Sequence, residues 1–137
     1  MKKLFGQGML TGIPITIISV GSGYLLGLLF PSLAEQYNNT QLYRPWSEPA
    51  MWVIFIYPFF LGIALAWIWD KTKTLLKGNS SSRAIRFAYA YWIVVVVPAM
   101  IMIYSCMPVS LPIILSWTVS GFLYGLIAGY IFVKLNP

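Results

Sequence analysis

The chain has few charged residues and no histidine. Only 9% of its 137 residues are Asp, Glu, Lys or Arg, whereas 59% are hydrophobic. A soluble domain carries about a quarter charged residues, because water must wet its surface. So few charges cannot cover a water-facing surface, and we expect the surrounding solvent to be lipid. The length suits one domain, and the sequence predicts a single transmembrane domain over residues 1–137.

The missing residue types exclude several kinds of site. Histidine is the commonest general base and metal ligand, and a single cysteine, Cys106, allows neither an intramolecular disulfide nor a cysteine-based zinc site. The only carboxylates, Glu35, Glu48 and Asp70, lie at the boundaries of apolar stretches. We therefore expect no enzyme activity, no cofactor and no metal site. Ion-coupled transport is also disfavoured, because it normally uses an ionisable group inside the membrane.

Four apolar stretches are long enough to cross a hydrocarbon core of ~30 Å, which requires about 20 residues. They cover roughly residues 9–30, 50–69, 84–106 and 112–134, and their interiors contain no Lys, Arg, Asp or Glu. The sequence thus predicts an all-α integral membrane four-helix bundle. Pro58 and Pro98 fall near the middles of the second and third spans, so we expect both helices to be kinked.

The positive charges are distributed very unevenly between the ends of the spans. Arg44 lies on one side, and the other eight of the nine lie opposite: Lys2, Lys3, Lys71, Lys73, Lys77, Arg83, Arg86 and Lys134. Because positive residues favour the cytoplasmic side, we predict a multi-pass protein of the cell membrane with cytoplasmic termini (N-in, C-in). Since these charges act as orientation signals, we expect the lipid bilayer, and no nucleic acid, as a partner.

Small residues recur every four positions in the first and fourth spans. The first contains Ser19, Gly23 and Gly27, in line with Thr16, Gly12 and Gly8, and the fourth contains Gly121, Gly125 and Gly129. Residues four apart share one helix face, and small residues let helix backbones approach closely in lipid. We expect these two spans to make the tightest helix contacts. Packing within the bundle and homo-oligomerisation both remain open.

The loop between the first two spans is the longest, and it is rich in aromatic and charged residues. Its candidate interaction surface comprises Glu35, Tyr43, Arg44, Trp46 and Glu48. Tyr, Trp and Arg are enriched at the energetic centres of protein interfaces, which favours a docking role. The alternative is a cap on the membrane surface, with Arg44 paired to Glu48.

Pro58 and Pro98 also bear on function. Each lacks an N–H, so the carbonyls of Ile54 and Val94 lose their usual helical partners. In a membrane such carbonyls are satisfied by neighbouring groups or by a water-lined cavity. Kinks that serve packing alone and kinks that border a cavity both remain open.

Two functional classes remain. We favour a structural or accessory subunit that packs against itself or against a larger membrane partner, because of the glycine faces and the aromatic loop. The alternative is an oligomeric channel or carrier for a neutral or apolar solute. The two prolines and the hydroxyl side chains inside the spans motivate that alternative.

Overall fold

The computed structural model describes residues 2–137, and every regular element in that range is a helix. The elements are α1 (Lys2–Leu29), α2 (Pro31–Tyr37), a 3-10 helix (Pro49–Phe55), α3 (Tyr57–Thr72), α4 (Ser80–Tyr91), a π-helix (Trp92–Val96), α5 (Val97–Cys106) and α6 (Leu111–Leu135).

These elements combine into four helices that are long and apolar enough to cross a membrane, which we call spans 1 to 4. They are Lys2–Leu29, Pro49–Thr72, Ser80–Cys106 and Leu111–Leu135. Span 1 begins well before the predicted residue 9, because Gln7 and Gly8 are buried against neighbouring helices. We refer to the end of the bundle with Lys2, residues 73–79 and Lys134 as the basic end, and to the opposite end, with α2 and residues 38–48, as the loop end.

Spans 2 and 3 change helix type near their prolines. In span 2 the 3-10 helix precedes α3, and Pro58 lies in the first turn of α3. In span 3 the π-helix separates α4 from α5, and Pro98 lies in the first turn of α5. A proline cannot donate the backbone hydrogen bond of a helix interior, but it is well tolerated in a first turn. The changes of helix type place both prolines where their missing donor costs least.

The densest packing lies in the half of the bundle near the basic end. The rings of Trp69, Phe87 and Phe132 contact one another with centroid distances of 5.2 to 6.2 Å, and each side chain is at most 2% exposed. The guanidinium carbon of Arg83 lies 5.4 Å from the centroid of the Trp69 ring. This aromatic core holds spans 2, 3 and 4 together.

A polar network ties span 4 to its neighbours at the same end. The Trp69 indole N–H donates to the backbone carbonyl of Asn136 at 2.8 Å, and Lys73 Nζ donates to the Asn136 side-chain oxygen at 2.6 Å. The Asn136 amide in turn donates to Asp70 Oδ1 at 3.2 Å, and Gln7 Nε2 donates to the carbonyl of Leu135 at 3.1 Å. Two of these bonds, those that Lys73 and Asp70 make with Asn136, involve a charged group, and such bonds are stronger than neutral ones.

Spans 1 and 2 approach most closely through glycine. A Cβ at Gly62 would collide with the carbonyl oxygen of Gly8, and Cβ atoms at Gly8 and Gly12 would collide with Ile63 and Phe59. Span 1 therefore packs on span 2 through the half of its small-residue stripe nearest the basic end.

Candidate functional site: a cavity at the loop end

The glycines of span 4 pack against span 3. A Cβ at Gly121 would lie 2.6 Å from Cγ1 of Val96, and one at Gly125 would lie 3.1 Å from Cα of Ala88. At Gly129 it would lie 2.8 Å from the carbonyl oxygen of Ala84. This glycine face is occupied within the chain, so a second copy would have to use a different surface.

The three small residues singled out in span 1 behave differently. A Cβ at Gly23 would meet no atom within 4 Å, and one at Gly27 would meet only the Cβ of Ala34, at 3.6 Å. Ser19, Gly23 and Gly27 instead line a cavity. The tight contacts of span 1 thus come from Gly8 and Gly12, in the half of the small-residue stripe nearest the basic end.

This cavity lies at the loop end and has a volume of about 930 Å³. Spans 1, 2 and 4 form its walls, and α2 and residues 38–46 border it at the loop end. Along span 1 it extends from Thr16 to Leu28, about 18 Å at the helical rise of 1.5 Å per residue. Its volume lies within the range of ~300–1,000 Å³ typical of small-molecule sites.

The cavity does not continue to the basic end. Its lining reaches no further in that direction than Thr16, Pro58 and Tyr124. Beyond them Leu65 and Phe132 are packed at no more than 1% exposure. The site is therefore a half-channel that ends near the middle of the bundle.

Most residues of the predicted outer-loop surface meet at the mouth of the cavity. Tyr43, Arg44 and Trp46 line it, and Arg44 Nη1 forms an ion pair with Glu48 Oε2 at 2.7 Å. Glu35 lies apart, on the exposed side of α2. An exposed ion pair contributes only ~0–1 kcal/mol to stability, so its main effect is to neutralise Arg44. Of the lining residues within 2–137, Arg44 alone carries a charge.

An aromatic cluster forms one wall at the mouth, and two of its members, Tyr37 and Trp117, were not singled out from the sequence. The ring centroids of Tyr37, Tyr43 and Trp117 lie 5.7 to 6.4 Å apart. The Trp117 indole N–H donates to the Tyr37 hydroxyl at 3.0 Å, which fixes α2 to α6.

The environment of the third member of the cluster, Tyr43, is unusual for a hydroxyl group. The Tyr43 hydroxyl is buried and has no hydrogen-bond partner among residues 2–137. Burial, and to a lesser extent the neighbouring Tyr37, raise the pKa of Tyr43 above its ordinary value. A tyrosine hydroxyl is already neutral at physiological pH, and that of Tyr43 is an unused polar group for whatever occupies the cavity.

The two prolines lie in different surroundings. Pro58 is buried and lines the cavity, whereas Pro98 is exposed on the surface of span 3. A second cavity of about 220 Å³ lies between spans 2, 3 and 4, beside the π-helix, and it is bordered by Tyr57, Tyr91 and Val96. Trp117 and Tyr124 border both cavities, so these two side chains separate the spaces.

Comparison of the chain with protein-family models, curated proteins and solved structures found no match.

Proposed function

We propose that the chain is a multi-pass protein of the cell membrane whose basic end faces the cytoplasm. Its four apolar helices have the length and composition of membrane spans. The basic end contains eight of the nine positive charges, and Arg44 lies at the other end. Short loops that are rich in Lys and Arg stay on the cytoplasmic side when a membrane protein inserts, which produces this uneven distribution of charge. In this orientation the termini are cytoplasmic, and the cavity lies in the outer half of the membrane.

We also propose that spans 2 and 3 bend at their prolines. The 3-10 helix before Pro58 and the π-helix before Pro98 support this, because both interrupt the regular α-helical hydrogen-bond pattern. Sharp bends in helices coincide with prolines and π-bulges. A bend at Pro58 would turn the outer part of span 2 away from span 1 and account for the space between them.

We propose that the protein binds, and carries, a neutral and largely apolar solute. The cavity of about 930 Å³ is the observation that supports this function. Its walls are mostly apolar, with several hydroxyl groups, and Arg44, its one charged residue, is paired with Glu48. An ion would lose its hydration in such a space without a compensating partner. Because the cavity ends at a packed core, a binding site or carrier fits better than an open channel.

The test uses two glycines of span 1 that both have open space at the Cβ position but differ in whether they line the cavity. A Cβ at either Gly21 or Gly23 meets no atom within 4 Å, but Gly23 lines the cavity and Gly21 does not. Gly23→Leu places a side chain inside the cavity at a position whose Cβ has open space around it, and Gly21→Leu, on the exposed surface of span 1, is the control. We expect Gly23→Leu to lower saturable photolabelling by a small neutral phenyl diazirine at least about tenfold, which is about 1.4 kcal/mol of binding.

The measurement uses purified protein in nanodiscs, with mass spectrometry of the labelled peptides. Equal labelling of the wild type and both variants would remove the proposal. Flux of a panel of neutral solutes into proteoliposomes then distinguishes a carrier from a protein that only binds.

A second candidate is an accessory subunit of a larger membrane protein, and an exposed aromatic patch supports it. Trp46 and Trp52 are 57% and 61% exposed, and Phe55 lies between them with centroid distances of 6.4 and 5.9 Å. Tryptophan is enriched where proteins dock, although it also anchors proteins at the membrane interface.

In-cell photo-crosslinking separates docking from anchoring. If the patch docks a partner, Trp52→p-benzoylphenylalanine gives a product of one defined mass. The control, the same replacement at the exposed Ile17 of span 1, gives none. A smear or no product at both positions excludes the accessory role for this patch.

A further inference from the structure

Hydroxyl groups are concentrated on two facing walls of the cavity. Span 1 contributes Thr16, Ser19 and Ser22, and span 4 contributes Ser116 and Ser120. The residues of span 2 that line the cavity are apolar, and they include Met51, Ile54 and Phe55. The cavity therefore has a polar side between spans 1 and 4 and an apolar side along span 2.

Three of these hydroxyl groups already donate their protons to backbone carbonyls of their own helices. Thr16 Oγ1 donates to the carbonyl of Gly12 at 2.9 Å, and Ser116 Oγ donates to the carbonyl of Ile113 at 2.7 Å. Ser22 Oγ donates to the carbonyl of Ser19 at 3.2 Å. A hydroxyl has one proton and two lone pairs, so towards the cavity these three oxygens act as acceptors.

The next hydroxyl joins the two polar walls. Ser120 Oγ lies 3.4 Å from Ser22 Oγ and is oriented to donate to it, across the gap between spans 4 and 1. Hydroxyl–hydroxyl bonds are usually 2.5–3.0 Å long, so this contact is stretched. A ligand hydroxyl between these spans would find acceptor lone pairs on both sides.

We propose that the cavity binds a neutral amphiphile with a hydroxyl headgroup, a lipid-like alcohol, whose headgroup lies against spans 1 and 4 and whose apolar body lies along span 2. The proposal depends on the function proposed above and specifies its ligand. An alcohol donates its single proton to the acceptor oxygen of Ser22 or of Ser116, and it can accept from the Tyr43 hydroxyl, which is buried without a partner among residues 2–137. An ether or a hydrocarbon of the same length has no proton to donate. An amine would bring a positive charge to a lining that contains no carboxylate among residues 2–137.

The experiment compares four competitors of the same chain length in the photolabelling assay: dodecanol, dodecyl methyl ether, dodecane and dodecanoate, at equal mole fraction in the nanodisc lipid. Dodecanol should compete at about tenfold lower mole fraction than the ether, the ratio expected from one net hydrogen bond of ordinary strength. The double substitution Ser22→Ala with Ser116→Ala removes both acceptors, so it should remove most of this preference while leaving competition by the ether unchanged.

Ser105→Ala is the matched control for the serine substitutions. Ser105 also donates to a carbonyl of its own helix, that of Ile101 at 2.8 Å, but it is exposed and lies outside the cavity. Equal competition by dodecanol and the ether, with both abolished by Gly23→Leu, would overturn the alcohol specificity and leave the cavity function intact. Strongest competition by dodecanoate would also overturn it, because the ligand would then be an anion. If no competitor reduces labelling, both proposals fail.

Discussion

A side chain at Gly125 would have to occupy space that Ala88 and Tyr91 already fill. A Cβ there would lie 3.1 Å from Cα of Ala88 and 2.8 Å from Cδ1 of Tyr91. The Tyr91 ring can rotate, but the backbone of Ala88 moves only if span 3 moves. We expect Gly125→Leu to destabilise the protein by about 1–3 kcal/mol or more, the usual cost of overpacking. Thermal unfolding of the purified protein, followed by tryptophan fluorescence, measures this as a lower midpoint.

Gly21→Leu is again the control, because its Cβ has open space around it. An unchanged midpoint for Gly125→Leu would mean that spans 3 and 4 do not meet at this residue. The same measurement on Gly23→Leu should give a midpoint close to that of the wild type. A loss of labelling in that variant is then caused by the leucine side chain inside the cavity rather than by unfolding.

The residues at the mouth of the cavity determine its charge. Arg44 is paired with Glu48, and Tyr43 is uncharged at physiological pH as an ordinary tyrosine is, with burial raising its pKa further. Because a tyrosine is neutral when protonated, a higher pKa extends the neutral form to more alkaline solutions. For the ligand proposed above, we therefore expect hydrogen bonds and shape, rather than charge, to provide the selectivity.

At the level of single elements, apolar length was the most informative property of the sequence. About 20 apolar residues are needed to cross a membrane, and four such stretches correspond to four helices in the structure. Their ends were less predictable. Span 1 extends to Lys2, beyond the predicted apolar stretch, and Gln7 in this added part is buried and donates to the carbonyl of Leu135 in span 4. A contact with a residue so distant in sequence leaves no local pattern.

The small-residue stripes show a second limit of sequence reasoning. The same spacing of four leads to tight packing at Gly125 and to open space at Gly23. Small residues permit close approach in a membrane, but they do not specify which helix approaches. The partner is set by the whole bundle, here span 3 for span 4 and span 2 for span 1. A stripe therefore predicts either a contact or a cavity, and only the fold distinguishes them.

The short helix α2 illustrates the same point for the loop. Residues 31–49 were treated as a loop, yet Pro31–Tyr37 is helical. Pro31 at the first helical position is a local signal for this helix. Its position against span 4 depends on the bond between Tyr37 and Trp117, which are 80 residues apart. The local sequence thus predicts the helix, but it does not predict that the helix forms a wall of the cavity.

For the whole molecule, the two halves of the bundle have different properties. The half near the basic end is closed by the aromatic core and by the glycine contacts between spans 1 and 2. The half near the loop end contains the cavity, where the 3-10 helix and α2 replace direct contacts between long helices. Binding regions generally come from the less stable parts of a protein. The proposed ligand site accordingly lies outside the aromatic core near the basic end.

The orientation of this asymmetric bundle determines which side of the membrane the ligand approaches from. A Cys106→Ser background removes the single native cysteine. Asn39 at the loop end and Ser81 at the basic end are both exposed, so each can be replaced by cysteine with little structural cost. We expect a membrane-impermeant maleimide to label Asn39→Cys in intact cells. Ser81→Cys should be labelled only after the cells are permeabilised, because positive residues are retained on the cytoplasmic side.

The opposite labelling pattern would contradict the charge argument and turn the cavity toward the cytoplasm. The ligand chemistry would be unaffected, because it depends on the hydroxyls of spans 1 and 4 rather than on the side from which the ligand enters. Labelling of both cysteines in intact cells, together with labelling of a cytoplasmic marker protein, would instead indicate leaky cells. The marker therefore has to remain unlabelled before the result is assigned to the orientation of the protein.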